Sequence, residues 1–154
     1  MSAGRALAMA DEQIAELVRL LSSAGEAGLR RPCPGREKLG DGTVGAVAVH
    51  TAENYTRISS FLRATIDGRP KEHLGAHHPG AMTGDVRLDD LLARLRRARR
   101  DLDVLAQLSD EELEDVPTAS EMRFVDGQRT LGAILVAVLR HQQHQVDAIA
   151  AALA

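Results

Sequence analysis

Arg129-Thr-Leu-Gly-Ala-Ile-Leu-Val-Ala-Val-Leu-Arg-His-Gln-Gln-His-Gln-Val-Asp-Ala-Ile149 is the stretch whose reading decides the fold. Thr130 stands where an N-cap belongs, its hydroxyl able to accept an orphan backbone N–H of the first turn. Behind it an apolar stripe passes through Leu131, Ile134, Leu135 and Val138, then His141, Gln145, Ala148 and Ile149. The spacing predicts one helix from Leu131 nearly to the end of the chain. Residues three apart lie about 60° apart around a helix and rise roughly 4.5 Å, so the imidazoles of His141 and His144 can look toward one point. Thr43-Val-Gly-Ala-Val-Ala-Val-His50 opens a second helix in the same manner: a capping threonine, small apolar residues, then a histidine.

The composition agrees with helices. The 154 residues are one domain's worth, and 44% are hydrophobic while only 2% are aromatic. The core must therefore be Leu, Val, Ile and Ala, without the β-branched and aromatic alternation of sheets. A net charge of −3 and a pI near 6.1 argue against nucleic acid or a membrane surface as the partner. Cys33 is the only cysteine and cannot form an internal disulfide. No apolar run spans a bilayer, and Asp11 and Glu12 stand where a signal peptide needs its apolar core. A cytoplasmic, reducing location is expected.

The remaining elements follow from caps and breakers. Leu7, Ala10, Ile14, Leu17, Val18 and Leu21 predict a first helix from near Ala6 to a C-terminal cap at Gly25. Residues 25–42 are rich in Gly and Pro and read as a connection. The second helix, capped by Thr43, turns Val47, His50, Asn54, Ile58 and Phe61 inward and ends before Asp67-Gly68-Arg69-Pro70. The loop 67–84 carries His73, His77 and His78 and is long for a compact domain. Asp85 is expected to cap the third helix, whose Leu88, Leu91, Leu95, Ala98, Leu102 and Leu105 keep a near 3.5-residue repeat suited to shallow crossing angles. Ser109-Asp-Glu-Glu112 is a capping box ahead of a short turn of helix. Residues 117–127 read as extended or looping, with Asp126-Gly127 a turn. The whole is an all-α, four-helix bundle, one domain over residues 1–154, with a long crossover loop between its second and third helices. Arg94-Leu-Arg-Arg-Ala-Arg-Arg100 is the solvated face of the third helix and has no aromatic platform for bases.

The chemistry lies with the histidines. Histidine is the commonest nitrogen ligand for zinc, nickel and ferrous iron, and three such ligands leave a position open for substrate or water. His50, His141 and His144 are the candidate metal ligands, brought together from two helices. The plainer alternative makes His50 and His141 core-edge residues bonded to backbone or to Asn54, with His144 on the surface. Glu53 can steady a ligand or act as general base, or it can be an ordinary solvent-facing glutamate. Asn54, one turn beyond His50, points inward and with Arg57 is a candidate substrate-binding residue. Tyr55 and Arg57 are candidates to line an opening, though no spacing requires it. Cys33, between two prolines, reads as a passive loop cysteine.

His50 in Val49-His50-Thr51-Ala52-Glu53, paired with a last helix reading Leu139-Arg140-His141-Gln142-Gln143-His144-Gln145-Val146-Asp147-Ala148-Ile149, resembles the DinB-like superfamily, which includes the N-terminal domains of mycothiol-dependent maleylpyruvate isomerases. The resemblance covers nearly the whole chain in element order, while only these two helices carry specific residues. It implies a four-helix bundle, a homodimer, a divalent metal (Zn, Ni or Fe) on three histidines, and mycothiol or another low-molecular-weight thiol as co-substrate. The activity it implies is a metal-dependent thiol transferase or isomerase, or a small-molecule hydrolase in detoxification. The sequence departs from the family at one position: the usual last-helix pair is His-x-x-x-His, and position 145 is Gln. Either His144 serves from the i+3 position, or His77 or His78 completes the set, or the site has lost a ligand. The last case implies a non-catalytic bundle that binds or sequesters a small molecule.

Overall fold

The computed structural model describes residues 1–68 and 86–154. The described residues are all helical apart from their connections. In chain order they form α1 (Ala3–Leu29), α2 (Val44–Asp67), α3 (Leu88–Asp101), a 310 helix (Leu102–Gln107), α4 (Asp110–Leu113) and α5 (Leu131–Leu153). The crossover loop expected between α2 and α3, with His73, His77 and His78, lies outside the described residues.

Helix ends follow the capping chemistry, with two corrections. Ser2 accepts from the Arg5 backbone N–H, so α1 begins at Ala3 and not near Ala6. Gly25 does break the helical path, at φ 70° and ψ −171°, but a further turn follows and the element runs on to Leu29. That turn persists because it is packed: Gly28 and Leu29 are buried, and Gly28 approaches Leu153 at the far end of α5. Thr43 and Thr130 both cap as expected, accepting from Ala46 and Ala133 at 3.2 and 3.1 Å. The capping box of Ser109 and Glu112 forms in both directions. α3 starts after Arg87, whose own side chain makes no cap; the Leu88 N–H donates instead to Glu26 Oε1 of α1 at 3.0 Å, Asp89 and Asp90 favour the helix dipole, and Asp85, the expected cap, lies outside the described residues.

The repeat of α3 buries Leu91, Leu95 and Ala98, and the chain then tightens into the 310 segment. With three residues per turn, that segment lays Leu102 and Leu105 on one side, so the apolar row continues without an α-helix. α1 packs on α5 and α3, and α2 packs on α3 and α5, around one aliphatic core. Leu17, Leu21, Leu62, Leu95 and Leu131 are at most 1% exposed; each contributes about 1.5–3 kcal/mol of apolar burial. α2 is buried on every side over Val44–Ala52, which makes it the central element. The arginine row of α3 faces outward, and Arg99 bridges Asp11 of α1 and Asp103 at 2.6 and 2.8 Å.

The connection after α1 is an ordered loop. The Cys33 N–H donates to the Gly42 carbonyl at 2.8 Å and the Val44 N–H to the Arg31 carbonyl at 2.9 Å, with an isolated antiparallel bridge between Pro32 and Thr43. Cys33 is 1% exposed and burial pushes its thiol pKa up, the direction of an unreactive cysteine.

Candidate functional site

α2 and α5 lie against each other, and the residues one helical turn apart on their facing sides set the floor of a cleft of about 280 Å³. His50, Asn54 and Arg57 come from α2; Val138, His141 and Gln142 come from α5. The loop before α5 closes one side with Glu121, Met122, Arg123 and Phe124. The His50 and His141 rings stand 6.3 Å apart between centroids and nearly perpendicular, at 85°. The convergence of these two histidines, separated by most of the sequence, is thus present.

Their nitrogens are already engaged by amides. The Asn54 side-chain N–H donates to His50 Nε2 at 3.2 Å and to Gln142 Oε1 at 3.1 Å. Gln142 donates in turn to the Thr51 carbonyl at 2.7 Å. The Gln145 side-chain N–H faces His141 Nε2 at 3.4 Å. An amide nitrogen can only donate, so in this arrangement each imidazole accepts at Nε2. Burial, followed by the charges of Arg123, Arg36 and His144, holds the His141 pKa below the ordinary imidazole value.

The third histidine is elsewhere. His144 is exposed, while Gln142 and Gln145 are 0% and 2% exposed and point into the protein. The buried row of α5 runs Leu131, Ile134, Leu135, Leu139, Gln142, Gln145, Val146 and Ile149, so His141 sits at its flank. Arg36, from the loop after α1, reaches across and donates its Nε–H to Gln145 Oε1. Among the described residues no three His, Cys, Asp or Glu side chains gather closely enough to hold a metal ion. Taken alone, these residues do not fit a three-histidine centre: they offer two imidazoles, both bonded to amides, beside two guanidinium groups that oppose a dication.

The other expected site residues separate. Asn54 and Arg57 line the cleft. Glu53 does not; it is half-exposed and lies 4.0 Å from Arg94 of α3. Tyr55 is fully buried and does not line the cleft; its hydroxyl donates to Gln13 Oε1 at 2.7 Å. Burial raises the pKa of that hydroxyl well above its usual value.

The loop residues were not legible as site residues. Phe124 adopts φ 74°, the only residue other than glycine with a positive φ among those described. Its ring stands 6.4 Å from that of His141, and Arg123 and Arg129 lie over it at 5.0 and 5.5 Å. An aromatic residue in the left-handed region costs on the order of 1–3 kcal/mol, so its surroundings hold it there. The one available hint was that the chain has only two phenylalanines and one of them falls in a polar loop.

The class defined by fold and site is an all-helical protein with an open, polar-floored cleft between two of its helices. Comparisons with protein-family models, with curated proteins and with solved structures find no match to this chain. No helix among the described residues is long and apolar enough to cross a membrane.

Proposed function

We propose that the chain is a DinB-like four-helix bundle that binds a small molecule in the cleft between α2 and α5, with its metal site degenerate. Four long helical elements packed around one aliphatic core support the bundle, the 310 segment completing the third. The observation that carries the functional reading is the state of position 145. Gln145 is buried, accepts from Arg36 and faces His141, while His144 is turned to solvent. A carbonyl oxygen already bonded to a guanidinium is a poor replacement for an imidazole ligand.

A second reading keeps the metal: a thiol-dependent transferase or isomerase, or a hydrolase, acting on a small molecule, as a homodimer. The meeting of His50 with His141 favours it. It requires a third ligand, from a shifted His144 or from His77 or His78. Metal analysis of the purified protein after incubation with zinc, nickel or ferrous iron distinguishes the two, with His50→Ala and His141→Ala beside it. The degenerate-site reading expects substoichiometric metal that neither substitution changes, and Gln145→His to gain zinc affinity. Near-stoichiometric metal that disappears in both alanine variants overturns it in favour of the enzyme.

A further inference from the structure

The cleft carries a charge pattern that defines a ligand. Among the described residues that line it are Arg57 and Arg123, with Glu121 as the one acid. Arg36 lies just beyond, at Gln145. Among the described residues Arg123 makes no ion pair; its guanidinium rests on the Phe124 ring. The floor supplies no competing demand, because no buried side-chain nitrogen or oxygen among the described residues lacks a partner. Recognition of charge therefore falls to the guanidinium groups at the mouth, whose planar forks suit a carboxylate. Beside them runs an apolar wall of Met122, Phe124 and Val138. Phe124 is maintained in a strained backbone conformation that sets its ring on this wall. A volume of about 280 Å³ lies just below the range of about 300 to 1,000 Å³ usual for drug-sized ligands, so the occupant must be compact.

We propose that the cleft binds a compact organic acid, its carboxylate held at Arg123 and Arg57 and its apolar body lying along Phe124, Met122 and Val138. This rests on the small-molecule reading above and adds the ligand's chemical class. Charge and wall are both needed: a bare anion meets the arginines without the wall, and a neutral isostere meets the wall without the arginines. Arg123 is then the residue that sets specificity, since it both neutralises the carboxylate and backs the aromatic ring.

The test is a titration of the isotope-labelled full chain by two-dimensional NMR, with benzoate, benzamide and inorganic phosphate as probes. Benzoate is expected to shift resonances around Asn54, Val138 and Phe124, with benzamide and phosphate each binding about tenfold more weakly or worse, the worth of one charge-assisted contact. Arg123→Gln is expected to weaken benzoate about tenfold and benzamide by much less, since both lose the backing of the Phe124 ring but only benzoate loses the charged contact, and Arg123→Lys, which keeps the charge without the planar fork, to recover part of the benzoate affinity. Arg123 is exposed, and an unchanged melting temperature confirms that each variant is folded. Equal binding of benzoate and benzamide at the cleft overturns the acid while leaving the small-molecule cleft standing. Phosphate binding as tight as benzoate removes the apolar half of the proposal. No shift at the cleft with any probe overturns it entirely. Stoichiometric metal on His50 and His141 is the separate result that removes the underlying reading.

Discussion

Tyr55→Phe deletes one hydroxyl at the point where three helices are tied together. Gln13 of α1 is 3% exposed, and its amide nitrogen donates to the Leu139 carbonyl of α5 at 2.9 Å and to Gln143 Oε1 at 3.2 Å. Its carbonyl oxygen accepts from the Tyr55 hydroxyl of α2 at 2.7 Å. With Tyr55 itself at 0% exposure, water has no ready route to replace the lost donor. Leaving Gln13 Oε1 buried and unpaired costs about 1–3 kcal/mol. In a chain of 154 residues a 2 kcal/mol loss lowers the melting temperature by about 4–8 °C. Gln13→Leu should cost a similar amount, because it removes the acceptor of the Tyr55 hydroxyl and the bond that ties α1 to the Leu139 carbonyl. The double variant leaves neither partner of the deleted pair stranded, so the two losses should fall short of additivity by about 1 kcal/mol. Urea unfolding followed by far-UV circular dichroism, with unchanged m, measures all four species. A Tyr55→Phe protein within about 0.5 kcal/mol of wild type, or a double variant that is simply additive, refutes the interlock.

Acid should weaken the fold through His141. Its native pKa lies below the ordinary 6.5, so between those two values the unfolded chain binds a proton that the native chain does not. Stability therefore falls as pH drops below about 6.5 and is insensitive to this group above it. His141→Gln should remove that part of the slope in pH-dependent urea unfolding, and Arg123→Gln should raise the His141 pKa seen by NMR; an unchanged slope and an unchanged pKa would contradict the assignment. Gly25→Ala meets no steric obstacle but must adopt φ 70°, ψ −171°, and should lose on the order of 1–3 kcal/mol in the same unfolding assay. Leu17→Ala, at 0% exposure in the middle of α1, should cost about 2–5 kcal/mol, and a loss under 1 kcal/mol would show that the site collapses around the cavity.

Much of the architecture was legible in the sequence, because the forces that set it act over a few residues. Thr43, Thr130 and Ser109 each cap the helix they precede, and the aliphatic rows of α1, α2 and α3 turn the expected sides inward. The places where the reading slipped have identifiable physical causes. α1 continues past Gly25 because tertiary packing of Gly28 and Leu29 outweighs the break, and the first turn of α3 takes its side-chain acceptor from Glu26 of α1. On α5 a histidine and a glutamine at adjacent helical angles compete for the interior. Periodicity alone placed His141 among the inward residues, whereas the structure buries Gln142 and leaves His141 at the rim.

The site itself needed distant contacts. That His50 and His141 would approach was read from their places on two helices of one bundle, and Asn54 from its position one turn beyond His50, while no spacing required Arg57 to join them. Arg36, Arg123 and Phe124 reach the cleft through loops whose paths no short-range rule specifies. Gln13 and Tyr55 pair from the first two helices with no pattern to announce it. Helix identity and polarity of face were determined by the sequence itself, through capping hydrogen bonds and apolar spacing. Which polar groups meet, and hence whether the centre favours a cation or an anion, was decided only by tertiary structure, since a guanidinium beside an imidazole alters its charge from a hundred residues away in the chain.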